Sequence, residues 1–244
     1  MAYVFITGSA DGLGMLAARD LVAKGHRVVL HARNPTRAQE ALKNVPGAAG
    51  VTTGDLSDID ETRRLADEAN GLGTFDAVIH NAGVYQTSAK VTFTVNTLAP
   101  FLLTSLMHRP KRLIYLTSGM HLQGRPRLEH FTPDANGITY SDTKLHVLTL
   151  AFAVARIWKG VNSNGVDPGW VPTKMGGSGA PDDLQKGYQT QGWLAVSDDA
   201  EATVSGVYFH HKKQRRNNPL ASDPAVQDAL LTACTKVTGV DFPL

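Results

Sequence analysis

In the stretch YSDTK, Tyr140 and Lys144 stand four residues apart at the head of a long apolar segment. A helix would bring the phenol and the ammonium onto one face, about one turn apart. A free tyrosine keeps its proton up to a pKa of about 10, which suits it poorly to proton transfer near neutrality. A neighbouring ammonium favours the phenolate and lowers that value. The pair could therefore act as a general acid or base, or it could be an ordinary pair on a solvated helix face. The stretch TGSADGLG offers a second chemistry through Gly8, Gly12 and Gly14. Glycines there let the backbone turn tightly and approach a pyrophosphate, whose charge a helix N-terminus favours. The spacing T-G-x-x-x-G-x-G differs from the common G-x-G-x-x-G fingerprint.

Positioning such groups requires a regular scaffold, and the 244-residue chain reads as one. Apolar runs at YVFIT (3–7), RVVLH (27–31), GVTTGDL (50–56), FDAVIH (75–80) and KRLIYLT (111–117) alternate with stretches of helical period. A helix is expected over Thr92–Met107, another over 140–158, and a last one near Ala225–Val237. A weak strand is expected at Val161–Val166 and a short one at GVYFH. Ser57, with Asp60 three residues on, reads as a helix cap. β-Branched runs without polar alternation predict a parallel sheet covered on both faces, a doubly wound α/β fold in a single domain spanning 1–244. In such sheets ligands collect at the carboxyl ends of the strands.

Composition narrows the function classes. Hydrophobic residues make up 42% and charged residues 19%, as in ordinary folded proteins, and the net charge of +2 gives no reason to expect nucleic acid as partner. The one dense basic run, Lys212–Asn218, reads as a solvated loop or helix end. A single cysteine, Cys234, excludes an internal disulfide and fits a reducing compartment. No secretion signal and no membrane span are read, so a cytoplasmic protein is expected, with no metal site.

Seven motifs in order resemble the short-chain dehydrogenase/reductase family over nearly the whole chain. TGSADGLG, with Gly8, Ser9, Asp11, Gly12, Leu13 and Gly14, is similar to its cofactor turn. Asp55 and Leu56 of GDL match the strand end that meets the adenine, and Asn81, Ala82 and Gly83 match its NAG motif. Asn96 in TVNTLAPF matches the family's helix asparagine, and Ser118 its catalytic serine. Tyr140 and Lys144 match its YxxxK. Pro168, Gly169, Val171 and Thr173 of PGWVPT resemble the loop on the nicotinamide side. The resemblance implies a Rossmann-type fold and hydride transfer between a nicotinamide cofactor and a carbonyl or alcohol. Tyr140 would be the general acid or base, tuned by Lys144, and Ser118 would hold the substrate oxygen. Pro100 lacks an N–H, so the carbonyl of Asn96 loses its helical partner. There the family implies a bound water relaying protons from Lys144.

The tip of the second strand lacks an acid to accept ribose hydroxyls and instead carries Arg33, with Arg37 nearby. A guanidinium there suits a 2′-phosphate, so NADPH is expected in preference to NADH, although Asp11 lies where some NADP-preferring relatives are basic. His80 replaces a second asparagine before NAG. The segments 119–139, with His121, Leu122 and Phe131, and 174–196, with Met175, Tyr188, Trp193 and Leu194, are expected to shape substrate choice, the second as a mobile lid. His121 reads either as a second acid or as pocket wall. The resemblance also implies a homodimer or homotetramer formed through 92–107 and 140–158. The substrate is expected to be small to medium-sized and partly apolar. A catalytically silent NADP-binding regulator is the alternative function.

Overall fold

The computed structural model describes residues 1–132 and 134–244. Eight strands form one sheet in the order β3-β2-β1-β4-β5-β6-β7-β8. They are β1 (Tyr3–Ile6), β2 (Arg27–Ala32), β3 (Gly50–Thr53), β4 (Ala77–His80), β5 (Arg112–Leu116), β6 (Asn162–Asp167), β7 (Tyr208–His210) and β8 (Lys213–Gln214). The first seven pair in parallel, and β8 folds back antiparallel on β7. The order reverses between β1 and β4, which opens a crevice at their carboxyl ends.

Strands buried on both faces explain the unbroken apolar runs. Val4 and Ile6 enter one core, while Phe5 between them enters the other. Helices α1 (Gly12–Ala23), α2 (Pro35–Asn44) and α7 (Leu184–Val196) bury residues in the first core. The second is covered by α3 (Ile59–Gly71), α4 (Ala89–Phe93), α5 (Ala99–Leu106), α6 (Tyr140–Ile157) and α9 (Pro224–Thr238), with the short α8 (Pro219–Ser222) beside them.

Local chemistry corrects several boundaries. Helix α3 is capped by Asp58, whose carboxylate accepts from Glu61 N, while the Ser57 hydroxyl donates to Asp55 instead. The segment Ala89–Leu106 is helical throughout, but Thr94–Leu98 widens into a π-turn, where Ala99 N bonds Thr94 O. This is how the chain absorbs Pro100: the wider turn accommodates a residue that cannot donate. The weak strand formers of β6 are held by side-chain bonds to neighbouring elements. Ser163 Oγ donates to Ala151 O, and Asn164 bridges Val204 O and Val207 N. The basic run is neither loop nor helix end throughout, because Lys213 and Gln214 form the edge strand after a turn in which His211 and Lys212 adopt positive φ.

The segments expected to pair with a second copy are covered by the chain itself. Every residue of α6 from Asp142 to Val154 is buried, with α8 and α9 packed against it. Phe242 in the C-terminal tail stacks on Trp158 and lies against Phe101. Among the described residues no helix is long and apolar enough to cross a membrane.

Candidate active site

A cleft of about 460 Å³ opens at the carboxyl ends of the central strands. At one end lies the turn between β1 and α1, built by three glycines with different duties. Gly8 has φ +63°, and a Cβ there would lie 2.9 Å from Ala82 Cα. A Cβ on Gly14 would meet Asn81 Nδ2 at 2.4 Å and Gly8 O at 2.6 Å. Both positions exclude a side chain by contact with the protein. At Gly12, with φ +55°, a Cβ would meet nothing within 4 Å. Its half-buried backbone borders the cleft at the start of α1, where N–H groups lack helical partners and favour an anion.

Long-range bonds hold that turn. Asn81 Nδ2 donates to the carbonyls of Thr7 and Gly8, both at 3.0 Å, and Ala82 N donates to Thr7 Oγ1. His31, at the tip of β2, completes the frame. Gly8 N donates to its Nδ1 at 2.9 Å, and its Nε2 lies 2.9 Å from the carbonyl of Gly54. The ring must then carry its proton on Nε2 and remain neutral. Burial pushes its pKa down to about 4. Sequence reasoning passed over His31 because its partners lie 23 residues away on either side. Ser9 also serves the frame: its hydroxyl donates to Ile6 O and accepts from His31 N, and it does not face the cleft.

Of the sequence-selected residues, Gly8, Asp11, Gly12, Leu13, Arg33, Asp55, Leu56, Asn81, Ala82, Gly83, Tyr140, Lys144, Pro168 and Thr173 line the cleft. Ser9, Gly14, Asn96, Ser118, Gly169 and Val171 stand behind or beside that lining. Arg33 is exposed and makes no ion pair among the described residues. Arg37 differs, because it is engaged by Asp11 at 2.5 Å and by Glu40. Lys174 also reaches Asp11, at 3.2 Å, so the acid in the glycine turn is flanked by two cations.

At the other end, α6 begins with Tyr140. A capping box fixes this start, Thr139 and Asp142 each bonding the other's backbone N–H. Asp142 also accepts from Arg125 N at 2.7 Å. One turn on, Lys144 Nζ lies 5.5 Å from the Tyr140 ring centre and donates to Leu116 O at 3.0 Å. Glycine at 83 eases this approach, since a Cβ there would sit 3.2 Å from Lys144 Nζ and 3.4 Å from Asn96 Oδ1. Asn96, in the π-turn, clamps the loop after β4. Its Oδ1 accepts from Val84 N, while its Nδ2 donates to Val84 O and contacts Thr143 Oγ1.

The electrostatics differ from the sequence expectation. Burial lowers the Lys144 pKa to about 8. Tyr140 is raised to about 12, first by burial and then by the negative charge of Asp167 and by Tyr85, while a hydrogen bond from Ser118 pulls the other way. In the protein alone, desolvation and Asp167 outweigh any help from Lys144, and the phenol keeps its proton. His121 is no free second acid. It is fully buried, with Nδ1 2.7 Å from Ser118 O and Nε2 accepting from Asn218 N at 3.2 Å, and its ring packs edge-on against Tyr208.

The expected lid is largely scaffold. Leu194 is buried in the sheet core, Trp193 packs on Phe209, and α7 lies against α1. Of that segment only Lys174 and Met175 reach the cleft. Phe131 likewise turns inward onto Phe93 and His146. The apolar side chains that stay exposed near the catalytic end are Tyr85, Met120, Leu122, Trp170 and Met175.

Comparison with known proteins agrees with this layout. The chain is 42% identical over 258 residues to the short-chain dehydrogenase chyC of Penicillium rubens, covering all of both proteins. An uncharacterised protein of Mycobacterium paratuberculosis superimposes with a TM-score of 0.83 at 24% identity, covering 100% of this chain and 96% of the other. A short-chain dehydrogenase of Shigella flexneri complexed with NADP superimposes with a TM-score of 0.69 at 21% identity, over 87% and 97% of the two chains. The family model described as short chain dehydrogenase matches residues 2–183. The chain belongs to the short-chain dehydrogenase family, a family of oxidoreductases.

Proposed function

We propose that the protein is a single-domain NADPH-preferring oxidoreductase that reduces a carbonyl of a small to medium-sized, partly apolar molecule. The observation that carries this reading is one cleft with an open turn at Gly12 and, at the same end, Arg33, which makes no ion pair among the described residues; at the other end are Tyr140 and Lys144, with Ser118 beside the lining. Gly12 and the start of α1 would receive the pyrophosphate, Arg33 a 2′-phosphate, and Asp55 and Leu56 the adenine side. Asn81, Ala82, Gly83, Pro168 and Thr173 would border the remainder. When bound, the nicotinamide supplies the hydride. The Ser118 hydroxyl orients the substrate oxygen, and the neutral Tyr140 phenol delivers its proton to that oxygen as charge develops there. Lys144, buried and held by Leu116 O, stabilises the phenolate left behind. That the complexed Shigella protein carries NADP supports the choice of cofactor.

Titration of the protein with NADPH and NADH in parallel, followed by tryptophan fluorescence, tests the reading. Trp170, 60% exposed and two residues from the cleft-lining Pro168, is the natural reporter. Tight binding of NADPH with weak binding of NADH is expected. Preference for NADH overturns the role given to Arg33, and binding of neither overturns the cofactor site.

A further inference from the structure

The basic run after β7 ends in a residue that is not solvated. Asn218 follows Arg215 and Arg216 in the chain, yet it is only 7% exposed. Its side-chain amide is divided between two duties. Oδ1 accepts from Leu220 N at 3.1 Å and so caps the short helix α8. Nδ2 turns the other way, toward the 3₁₀ turn Gly119–Gln123 and its exit. There it donates to His121 O and Gly124 O, both at 3.2 Å, and more weakly to Leu122 O at 3.4 Å. The backbone N–H of Asn218 adds a further bond, to His121 Nε2 at 3.2 Å.

That turn begins at Ser118. The Ser118 hydroxyl accepts from Met120 N at 3.2 Å, so the oxygen that would meet the substrate is also the cap of the turn. With that lone pair occupied, its hydrogen is left to donate elsewhere. The Ser118 carbonyl is held by His121 N at 3.0 Å and by the His121 ring, whose Nδ1 lies 2.7 Å away. Because Nε2 accepts from Asn218 N, the ring proton sits on Nδ1 and points at Ser118 O. The far end of the turn is pressed onto α6, where a Cβ on Gly124 would fall 2.4 Å from Ser141 O and 2.8 Å from Leu145 Cβ. Asn218 therefore grips one end of the turn through His121 and the other through Gly124, beside the residue that follows Tyr140. A cap for α8 needs only an oxygen, which aspartate or serine would supply as well. The amide differs from aspartate in its N–H donors and from serine in its reach, and both are spent on the Ser118 turn.

We propose that Asn218 is a positioning residue for Ser118, holding the turn so that the serine hydroxyl is aimed at the substrate oxygen. The inference rests on the reading of Ser118 as the group that orients that oxygen. Asn218 itself touches neither substrate nor cofactor in this role and acts on the direction of one hydroxyl. A reacting group misplaced by about an ångström can slow a reaction about 100-fold. Among the described residues the bonds of Asn218 reach none assigned to the cofactor, so NADPH binding is left alone.

Asn218→Ser separates the two duties, because serine keeps an oxygen for the cap of α8 but is too short to span to the turn carbonyls. NADPH oxidation is followed with para-nitrobenzaldehyde, an activated and partly apolar carbonyl. At saturating NADPH, kcat should fall about ten- to hundredfold while the NADPH Kd stays within about twofold of wild type. The same substitution is then made in Ser118→Ala. If Asn218 acts through Ser118, the double variant should be slower than Ser118→Ala by no more than about twofold, whereas a merely structural loss would multiply with it. Wild-type kcat in a folded Asn218→Ser protein, or losses that multiply, overturn the proposal. Should Asn218→Ser fail to fold, His121→Asn replaces it in the same cycle, keeping a donor for Ser118 O while giving up the bond to Asn218 N. Wild-type protein that oxidises no NADPH with this aldehyde strikes the proposed function and the role of Ser118 with it. Wild-type turnover that Asn218→Ser leaves unchanged strikes Asn218 alone.

Discussion

The two ends of the cleft are built on the same device with different reach. Each is braced by a buried histidine whose ring nitrogens are both spent on other groups. His31 ties the glycine turn to the end of β3 through Gly8 N and Gly54 O. His121 ties the serine loop to Asn218 through Ser118 O and Asn218 N. The first brace joins adjacent strand tips 23 residues apart, while the second spans 97 residues to the connection before α8. The glycine-turn end is therefore held by neighbouring strand tips, whereas the Tyr140 end draws its support from a distant, irregular segment.

The sharpest way to separate the two ends is Tyr140→Phe. The ring and its edge contact with Tyr85 remain, but the proton is gone. Turnover should fall by about 10²- to 10⁴-fold, the usual worth of a general acid. NADPH affinity should fall by no more than about tenfold if the ends are independent, since a single neutral hydrogen bond is worth about 0.5–1.5 kcal/mol. Steady-state kinetics and fluorescence titration of the same preparation check both halves. Near-wild-type turnover would remove Tyr140 from the reaction, and a large loss of affinity would show that the ends are coupled.

Acid should loosen the whole scaffold. Burial holds His31 near 4, His80 near 3 and His146 near 4, against 6.5 for the free side chain. Their folded values are depressed, so the unfolded chain binds more protons below pH 6.5, and stability is lost as pH falls. Down to about pH 4, three such groups give a slope of up to about 4 kcal/mol per pH unit. Protonated His31 would also have a donor facing the Gly8 N–H. Melting temperature followed from pH 7 to pH 5 should drop steeply, and a flat profile would mean that these rings are hydrated or already charged. If His31→Gln, which can still accept from Gly8 N, reduces the slope by about a third, the share of that brace is confirmed.

The two ends were unequally legible in the sequence, and the reason is physical. The residues that face the cofactor turn announce themselves, because glycine at 8, 12 and 14 and asparagine at 81 answer constraints that few side chains meet. Tyr140 and Lys144 are likewise fixed by helical spacing. The supports are silent. Nothing local distinguishes His31, His121 or Asn218 from ordinary strand and loop residues, since their partners lie far away in the chain. Leu194 and Phe131 misled for the complementary reason: apolar residues in an irregular stretch can line a pocket or close a core, and only the packing decides. The cap at Asp58 rather than Ser57 turned on Asp55, which holds the Ser57 hydroxyl.

The smallest effect is expected at the cofactor end. Arg33 follows the tip of β2 and Arg37 lies in the first turn of α2, but Arg37 is engaged by Asp11 and Glu40 while Arg33 lines the cleft with no ion pair among the described residues. Of the two, Arg33 is the candidate to meet a 2′-phosphate in the proposed cofactor site. Being exposed, it should contribute at the low end of a charge-assisted bond, so Arg33→Ala should weaken NADPH about tenfold. NADH, which lacks that phosphate, should bind as before. Arg37→Ala should act differently, freeing Asp11 in the glycine turn and weakening both cofactors through its negative charge. Equal losses for NADPH and NADH in Arg33→Ala would mean that the residue supports the cleft rather than reading the phosphate, and the discrimination would then have to come from Lys174, the other cation beside Asp11.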